Sequence, residues 1–232
     1  MVVRAFGAAD LEYIEACLER NRSEAAALVE VNGLWFHQDP SAYTPGGFLS
    51  SVTIIAQYFP YRKGERFLEM GCGVGIETVI AALHHDNTVI AIDINPKAVE
   101  LTQKNAKKHG VADQVSCRHG DLFSPMNDGE KVDTIFWNWP YLYVPEGYEC
   151  SSLLERAFCD PGYCLIQRFL SEAKRYLTPG GRIILTFGTL GSYDIFEKIV
   201  CESGYTMTQI YEKFGERPFR ATYFLYELTV KS

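Results

Sequence analysis

The stretch FLEMGCGVG, residues 67–75, runs from an apolar strand pattern into a turn that contains three glycines. Glycine tolerates positive φ angles and has no Cβ, so a ligand can approach the backbone and the start of the following helix closely. The spacing is G-x-G-x-G, with Ile76 where the dinucleotide turn G-x-G-x-x-G has its third glycine. The stretch therefore predicts a strand, a ligand-binding turn and a helix, with a purely structural turn as the alternative.

Outward from this turn, short apolar runs alternate with longer amphipathic runs over residues 63–232. This alternation is typical of a mostly parallel sheet flanked by helices, so we expect a Rossmann-like α/β domain. The last two strands are too close in sequence for a crossover helix, which predicts an antiparallel edge strand. Strands are predicted at 66–70, 88–92, 115–119, 132–137, 182–187, 206–213 and 221–229, and helices from about Val74, Pro96, Tyr163 and Tyr193.

Residues 1–62 are predicted to form a helical N-terminal extension, or cap. Apolar residues recur at helical spacing over 10–31, which indicates one or two amphipathic helices. Turn formers dominate residues 36–50, and an apolar helix is expected over 52–59.

Composition narrows the classes of partner. With 232 residues, 47% of them hydrophobic, the chain has enough apolar sequence for one domain with a core. The net charge of −7 provides no general basic field for nucleic acid. Seven scattered cysteines and five histidines show no disulfide, zinc or other metal-ligand spacing, and no apolar run has membrane-spanning length. We expect a cytoplasmic protein without a metal ion or a membrane partner.

Asp93 ends the apolar run VIAID, at the predicted carboxyl end of the second strand of the domain. A carboxylate at this position can accept hydrogen bonds from both hydroxyls of a ribose. Helix capping is the alternative role, but Asn95 and Pro96 already supply a capping residue and a first helical residue. Asp93 is therefore predicted to bind the ribose of a nucleoside cofactor.

The segment IFWNWPY, residues 135–141, ends the fourth predicted strand of the domain. It resembles the N-P-P-Y motif of class I S-adenosylmethionine-dependent methyltransferases that modify adenine N6 or a glutamine side-chain amide, including the HemK-type enzymes. Asn138, Pro140 and Tyr141 match this motif, and Trp139 replaces its first proline. The alternative interpretation is an aromatic strand followed by an Asn-x-Pro turn.

The resemblance implies S-adenosylmethionine as cofactor and N-methylation as the reaction. In the family, the Asn side-chain oxygen and the next backbone carbonyl accept the two N–H hydrogens of a planar acceptor, and the aromatic residue stacks on it. Asn138, the Trp139 carbonyl and Tyr141 would do this here, next to Pro140. The loss of the proline leaves the carbonyl in place, adds an indole near the pocket and puts the identity of the acceptor in doubt. Cofactor contacts are implied for Glu69, Gly71, Gly73, Gly75, Asp93, Ile94, Asp121, Leu122 and Asn138.

Several alternatives stay open on the sequence. The acceptor nitrogen is predicted on a protein or a small molecule, with adenine N6 of RNA or DNA as the alternative. A nucleotide-binding oxidoreductase and a catalytically silent binding module are the other classes. The region before residue 63 is shorter than the substrate domain expected of a release-factor enzyme. Further candidate pocket residues are Tyr43, Thr44 and Pro45 upstream and Tyr143, Tyr148 and Phe158 downstream of the motif.

Overall fold

The computed structural model describes residues 6–23, 28–43, 51–214 and 222–231. Within these ranges six α-helices and eleven strands follow one another, with short 3₁₀ turns between some of them. In chain order the elements are α1 (Ala8–Ser23), β1 (Leu28–Val31), β2 (Leu34–His37), α2 (Ser51–Tyr58), β3 (Arg66–Met70), α3 (Ile76–His85), β4 (Thr88–Asp93), α4 (Pro96–Lys108), β5 (Val115–His119), β6 (Val132–Trp137), β7 (Leu142–Val144), β8 (Cys159–Pro161), α5 (Cys164–Ala173), β9 (Leu177–Gly188), α6 (Tyr193–Glu202), β10 (Tyr205–Phe214) and β11 (Thr222–Val230).

The central sheet has seven strands in the order β10-β11-β9-β6-β3-β4-β5. Strands β9, β6, β3, β4 and β5 are parallel, and β11 runs antiparallel to both β9 and β10. The predicted α/β fold with one reversed strand is confirmed, and the reversed strand lies one position inside the edge. The winding reverses at β3, between β4 and β6, and in open α/β sheets ligands bind beyond the strand ends at such a point.

Local sequence explains the elements around this point. Four of the five residues of β3 are buried, as expected of a strand covered by helices on both faces. Helix α4 begins at Pro96 as predicted, and the Asn95 side chain accepts a 3.0 Å hydrogen bond from the Lys97 N–H. Helix α3 begins at Ile76, two residues later than predicted, because Gly75 takes a left-handed conformation with φ 80°.

Two sequence predictions about local structure are wrong. Residues 28–37 form the β1–β2 hairpin, so the helical pattern does not reach Val31. The Asn32-Gly33 turn, with φ of 51° and 79°, suits a tight hairpin and outweighs the apolar spacing. The strand predicted at 182–187 begins earlier, because β9 spans Leu177–Gly188 and α5 already ends at Ala173.

Within the part of the chain that the structure describes, no helix is both long and apolar enough to cross a membrane.

Candidate active site

A pocket of about 200 Å³ lies at the carboxyl ends of β3, β4 and β6, where the winding of the sheet reverses. The glycine turn and the Asn-Trp-Pro-Tyr segment meet there, although they are more than sixty residues apart in the chain. Among the residues predicted from sequence, those that line the pocket are Tyr43, Gly71, Gly73, Asp93, Ile94, Asp121, Leu122, Asn138, Trp139, Pro140, Tyr141 and Phe158.

Asp93 connects the glycine turn to β4. Its Oδ2 accepts a 2.9 Å hydrogen bond from the Gly73 N–H, and its Oδ1 accepts a 2.8 Å bond from the Asn95 N–H. Burial raises the pKa of this carboxyl above its ordinary value, and the backbone donors oppose that rise. The carboxylate therefore holds the turn in place while also facing the pocket.

Glu69 and Gly75 lie outside the pocket lining. Glu69 is buried and accepts hydrogen bonds from the Thr78 N–H, at 2.8 Å, and from the Thr78 hydroxyl. A Cβ on Gly75 would lie 2.7 Å from Thr102 Cγ2, so this glycine allows α3 to approach α4 closely. Both residues therefore act on the shape of the turn, through its connection to α3.

Asp121 and Leu122 form the side of the pocket beyond β5. Asp121 Oδ2 accepts a 2.9 Å hydrogen bond from Arg168 of α5, and both side chains are partly exposed. Leu122 is buried and has a positive φ of 47°. The pocket therefore has a carboxylate and an apolar surface side by side at this end.

The Asn-Trp-Pro-Tyr segment is held by Thr186 of β9. The Asn138 Oδ1 accepts a 2.7 Å hydrogen bond from the Thr186 hydroxyl. The Trp139 indole donates a 2.7 Å bond to the Thr186 carbonyl, and the Trp139 carbonyl accepts a 2.9 Å bond from the Tyr141 N–H. Sequence analysis missed Thr186, because only the tertiary structure brings β9 next to the end of β6.

The bulk of the Trp139 side chain lies in the core. It is 1% exposed, stacks on Phe196 with ring centroids 5.3 Å apart and contacts Tyr163 edge-on. Trp139 lines the pocket, as expected of an indole near it, but most of its ring is packed in the core. A large apolar side chain with one N–H donor fills this core position and finds an acceptor for that donor.

Aromatic side chains surround Tyr141 in the pocket. Burial raises the pKa of Tyr141 well above its ordinary value, and the nearby Tyr223, Tyr13 and Tyr43 raise it further. Burial likewise raises the pKa of Tyr13. The hydroxyls of Tyr141 and Tyr13 are therefore uncharged at neutral pH, and their rings suit a planar group.

Helix α1 supplies pocket residues that sequence analysis did not identify. Tyr13, Cys17 and Arg20 all line the pocket. Their helical spacing predicts one buried face, but it does not predict what that face covers. Of the other loop candidates, Tyr143 packs on Tyr163, and the Tyr148 hydroxyl donates a hydrogen bond to Glu155. Thr44 and Pro45 lie outside the described residues.

The model of a family described as "Methyltransferase domain" matches residues 61–216. The chain belongs to this methyltransferase family. The predicted class I S-adenosylmethionine-dependent methyltransferase is thereby confirmed, and the oxidoreductase alternative is not supported.

Two relatives of this methyltransferase are named as glutamine methyltransferases. The chain is 30% identical over 175 residues to a putative protein N5-glutamine methyltransferase of Methanocaldococcus jannaschii, covering 74% of this chain and 85% of the relative. It is 36% identical over 132 residues to the ribosomal protein uL3 glutamine methyltransferase of Bradyrhizobium diazoefficiens, covering 53% of this chain and 41% of that relative. The chain thus spans less than half of the second relative.

A solved structure supports the fold. The tRNA m1G37 methyltransferase of Methanocaldococcus jannaschii superimposes with a TM-score of 0.62 at 16% identity, covering 90% of this chain and 55% of that one. At this identity the similarity concerns the fold alone.

Proposed function

We propose that this methyltransferase binds S-adenosylmethionine at the glycine turn and methylates the side-chain amide nitrogen of a glutamine in a protein. The observation that carries the proposal is that the glycine turn, Asp93 and the Asn138–Tyr141 segment line one pocket. The names of the two relatives favour a protein amide over the other planar nitrogens.

The residues present fit the proposed cofactor. Gly71 and Gly73 line the pocket with positive φ of 64° and 55°, so the floor is bare backbone that a ligand can approach closely. Asp93 offers a carboxylate for ribose hydroxyls, and Leu122 and Ile94 offer an apolar surface for a nucleobase. S-adenosylmethionine supplies a methyl group bound to positively charged sulfur, which is already activated for transfer.

Asn138 and Trp139 each have an oxygen that can accept a hydrogen bond from the acceptor nitrogen. An amide nitrogen is a poor nucleophile because its lone pair is delocalised into the carbonyl group. Asn138 Oδ1 and the Trp139 carbonyl each accept one internal hydrogen bond, and a carbonyl oxygen can accept two. One N–H of the acceptor can therefore donate to each oxygen, which aligns the nitrogen and favours the charge that develops on it during transfer. The proton leaves to water after the new C–N bond forms, so no general base is required.

Charge supports a protein acceptor over a nucleic acid. The net charge of −7 gives no long-range attraction for a polyanion. Adenine N6 presents the same pair of N–H groups, so the alternative is separated by experiment. The cytoplasm stays the predicted location.

Incubation of the purified protein with methyl-labelled S-adenosylmethionine and cell extract tests the proposal, with extract lacking the added protein as control. We expect the label in the protein fraction, and hot acid should release it as methylamine because acid hydrolyses the amide C–N bond. Label that stays on an amino acid after hydrolysis, or label in nucleic acid or small molecules, would contradict the assignment.

A further inference from the structure

Thr186 contacts two consecutive residues of the Asn-Trp-Pro-Tyr segment through two different groups. Its hydroxyl donates to Asn138 Oδ1, and its carbonyl accepts from the Trp139 indole, both at 2.7 Å. These bonds join the end of β6 to β9, the neighbouring parallel strand. A single residue thus contacts Asn138 Oδ1 directly and contacts Trp139, whose carbonyl is the second acceptor, through its indole.

The surroundings of Thr186 are rigid. The side chain is 3% exposed, and β9 pairs with β6 on one side and with β11 on the other. Thr186 pairs with Leu225 of β11 in that ladder. A β-branched side chain on a central strand also has few rotamers, so the hydroxyl direction is well defined.

We propose that Thr186 is a positioning residue that keeps Asn138 Oδ1 and the Trp139 carbonyl directed at the acceptor nitrogen. This inference rests on the proposed function and adds a residue that lies outside the motif. Thr186 acts through Asn138 and Trp139 and needs no contact of its own with the acceptor.

The hydrogen bond from the Thr186 hydroxyl fixes the orientation of the Asn138 carboxamide. The oxygen and the NH₂ group of an Asn side chain have nearly the same shape, and only the oxygen accepts a hydrogen bond. Without the Thr186 hydroxyl, the carboxamide can rotate and present donors to an acceptor nitrogen that itself donates. Such states do not bind the acceptor productively, and a small misplacement of a binding group lowers turnover strongly.

The contact between Trp139 and Thr186 restrains the backbone at Trp139. Proline at this position would fix φ near −65°, and Trp139 lacks that restraint. The hydrogen bond from its indole to Thr186, together with the packing of the ring on Phe196, restrains the same residue from its side chain. The departure from the family motif and the contact with Thr186 thus have one physical explanation.

Variants of Thr186 test whether its hydroxyl orients Asn138. Thr186→Val keeps the shape and removes the hydroxyl, Thr186→Ser keeps the hydroxyl, and Thr208→Val on the exposed face of β10 is the matched control. Turnover is measured as the initial rate of label transfer to the protein fraction at saturating S-adenosylmethionine, and cofactor affinity by calorimetry. We expect Thr186→Val to lose about tenfold to a hundredfold in turnover with cofactor affinity within about twofold. Thr186→Ser should stay within about threefold of the parent, and Thr208→Val should not differ from it.

A second variant keeps the test informative if Thr186→Val unfolds. Trp139→Phe leaves Thr186 intact, removes the indole N–H and should lower turnover about tenfold at unchanged cofactor affinity. Full turnover in folded Thr186→Val, an equal loss in Thr186→Ser, or full turnover in Trp139→Phe where Thr186→Val unfolds, would overturn the inference. If Asn138→Ala abolishes turnover while Thr186→Val does not change it, the proposed function stands and this inference fails. If Asn138→Ala keeps full turnover, the proposed function itself fails.

Discussion

Asp93 uses one carboxylate for two backbone N–H groups and also faces the pocket. In Asp93→Asn, an NH₂ group replaces one oxygen and faces an N–H donor, so one of the two bonds is lost. We expect the affinity for S-adenosylmethionine, measured by calorimetry, to fall at least about tenfold. Asp128→Asn is the control, because Asp128 is an exposed carboxylate paired with Arg175. Equal affinities of the two variants would contradict a role of Asp93 at the ribose.

Glu69 and Glu77 form a buried pair of carboxyls beneath the glycine turn. Burial raises the pKa of both, that of Glu77 to about 7, and the nearby charge of Glu77 raises the pKa of Glu69 further. The folded protein therefore retains protons that the unfolded chain has released, and this stabilisation is complete below the ordinary pKa of 4.5. The free energy of unfolding should fall as the pH rises from about 4.5 through about 7.

Glu77→Gln removes one of the two titrating groups of this pair. We expect the loss of stability between pH 5 and pH 8, measured by urea denaturation, to shrink by about 2 kcal/mol in this variant. Glu172→Gln, on the helix α5 and away from the pair, serves as control and should keep the parent's pH dependence. Parallel pH profiles for all three proteins would show that Glu77 does not retain a proton in the folded protein.

At the scale of elements, the glycine turn has two roles: Gly71 and Gly73 line the pocket, and Gly75 allows α3 to pack against α4. Gly75→Ala would place a Cβ 2.7 Å from Thr102 at a positive φ, so α3 and α4 must separate. We expect a loss of about 2–3 kcal/mol in the free energy of unfolding. Gly64→Ala has a similar φ of 74° and open space around the new Cβ, so it should lose about 1 kcal/mol. Equal losses would mean that the contact with Thr102 does not restrict the turn.

The strands around the site were predictable because their apolar runs are short and end at recognisable turns. The predicted bounds of β3, β5 and β6 agree with the structure to the residue. The β1–β2 hairpin was missed because the apolar spacing before it also fits a helix, and the Asn32-Gly33 turn was not weighed against it. Local pattern is informative where a strand is bounded by clear turns, as β3, β5 and β6 are, and ambiguous where the apolar spacing fits both a helix and a short hairpin.

At the scale of the whole molecule, the pocket joins residues from the first helix to the last strand. The sequence motifs predicted the residues on the cofactor side of the pocket, because the carboxyl ends of parallel strands lie at one edge of the sheet in this fold. Tyr13 of α1, Thr186 of β9 and Tyr223 of β11 could not be predicted in the same way. Their place depends on how distant elements pack, and the local sequence around each shows only an amphipathic or apolar pattern.

Tyr13 tests whether the region before residue 63 belongs to the active site. It lines the pocket next to Tyr141. We expect Tyr13→Ala to lower label transfer to the protein fraction about tenfold, with cofactor affinity unchanged. Leu11→Ala, at an exposed position of the same helix, should leave both quantities unchanged. Full transfer in Tyr13→Ala would exclude Tyr13 from acceptor binding.

The most direct test of the account separates cofactor binding from methyl transfer at Asn138. Calorimetry with S-adenosylmethionine and the rate of label transfer are measured for Asn138→Ala, with the exposed Asn127→Ala as the matched control. We expect Asn138→Ala to bind the cofactor with nearly parental affinity and to lose about a hundredfold or more in transfer, because one of the two oxygens that hold the acceptor nitrogen is gone. Asn127→Ala should match the parent in both measurements. Transfer at the parental rate by Asn138→Ala would contradict the central claim.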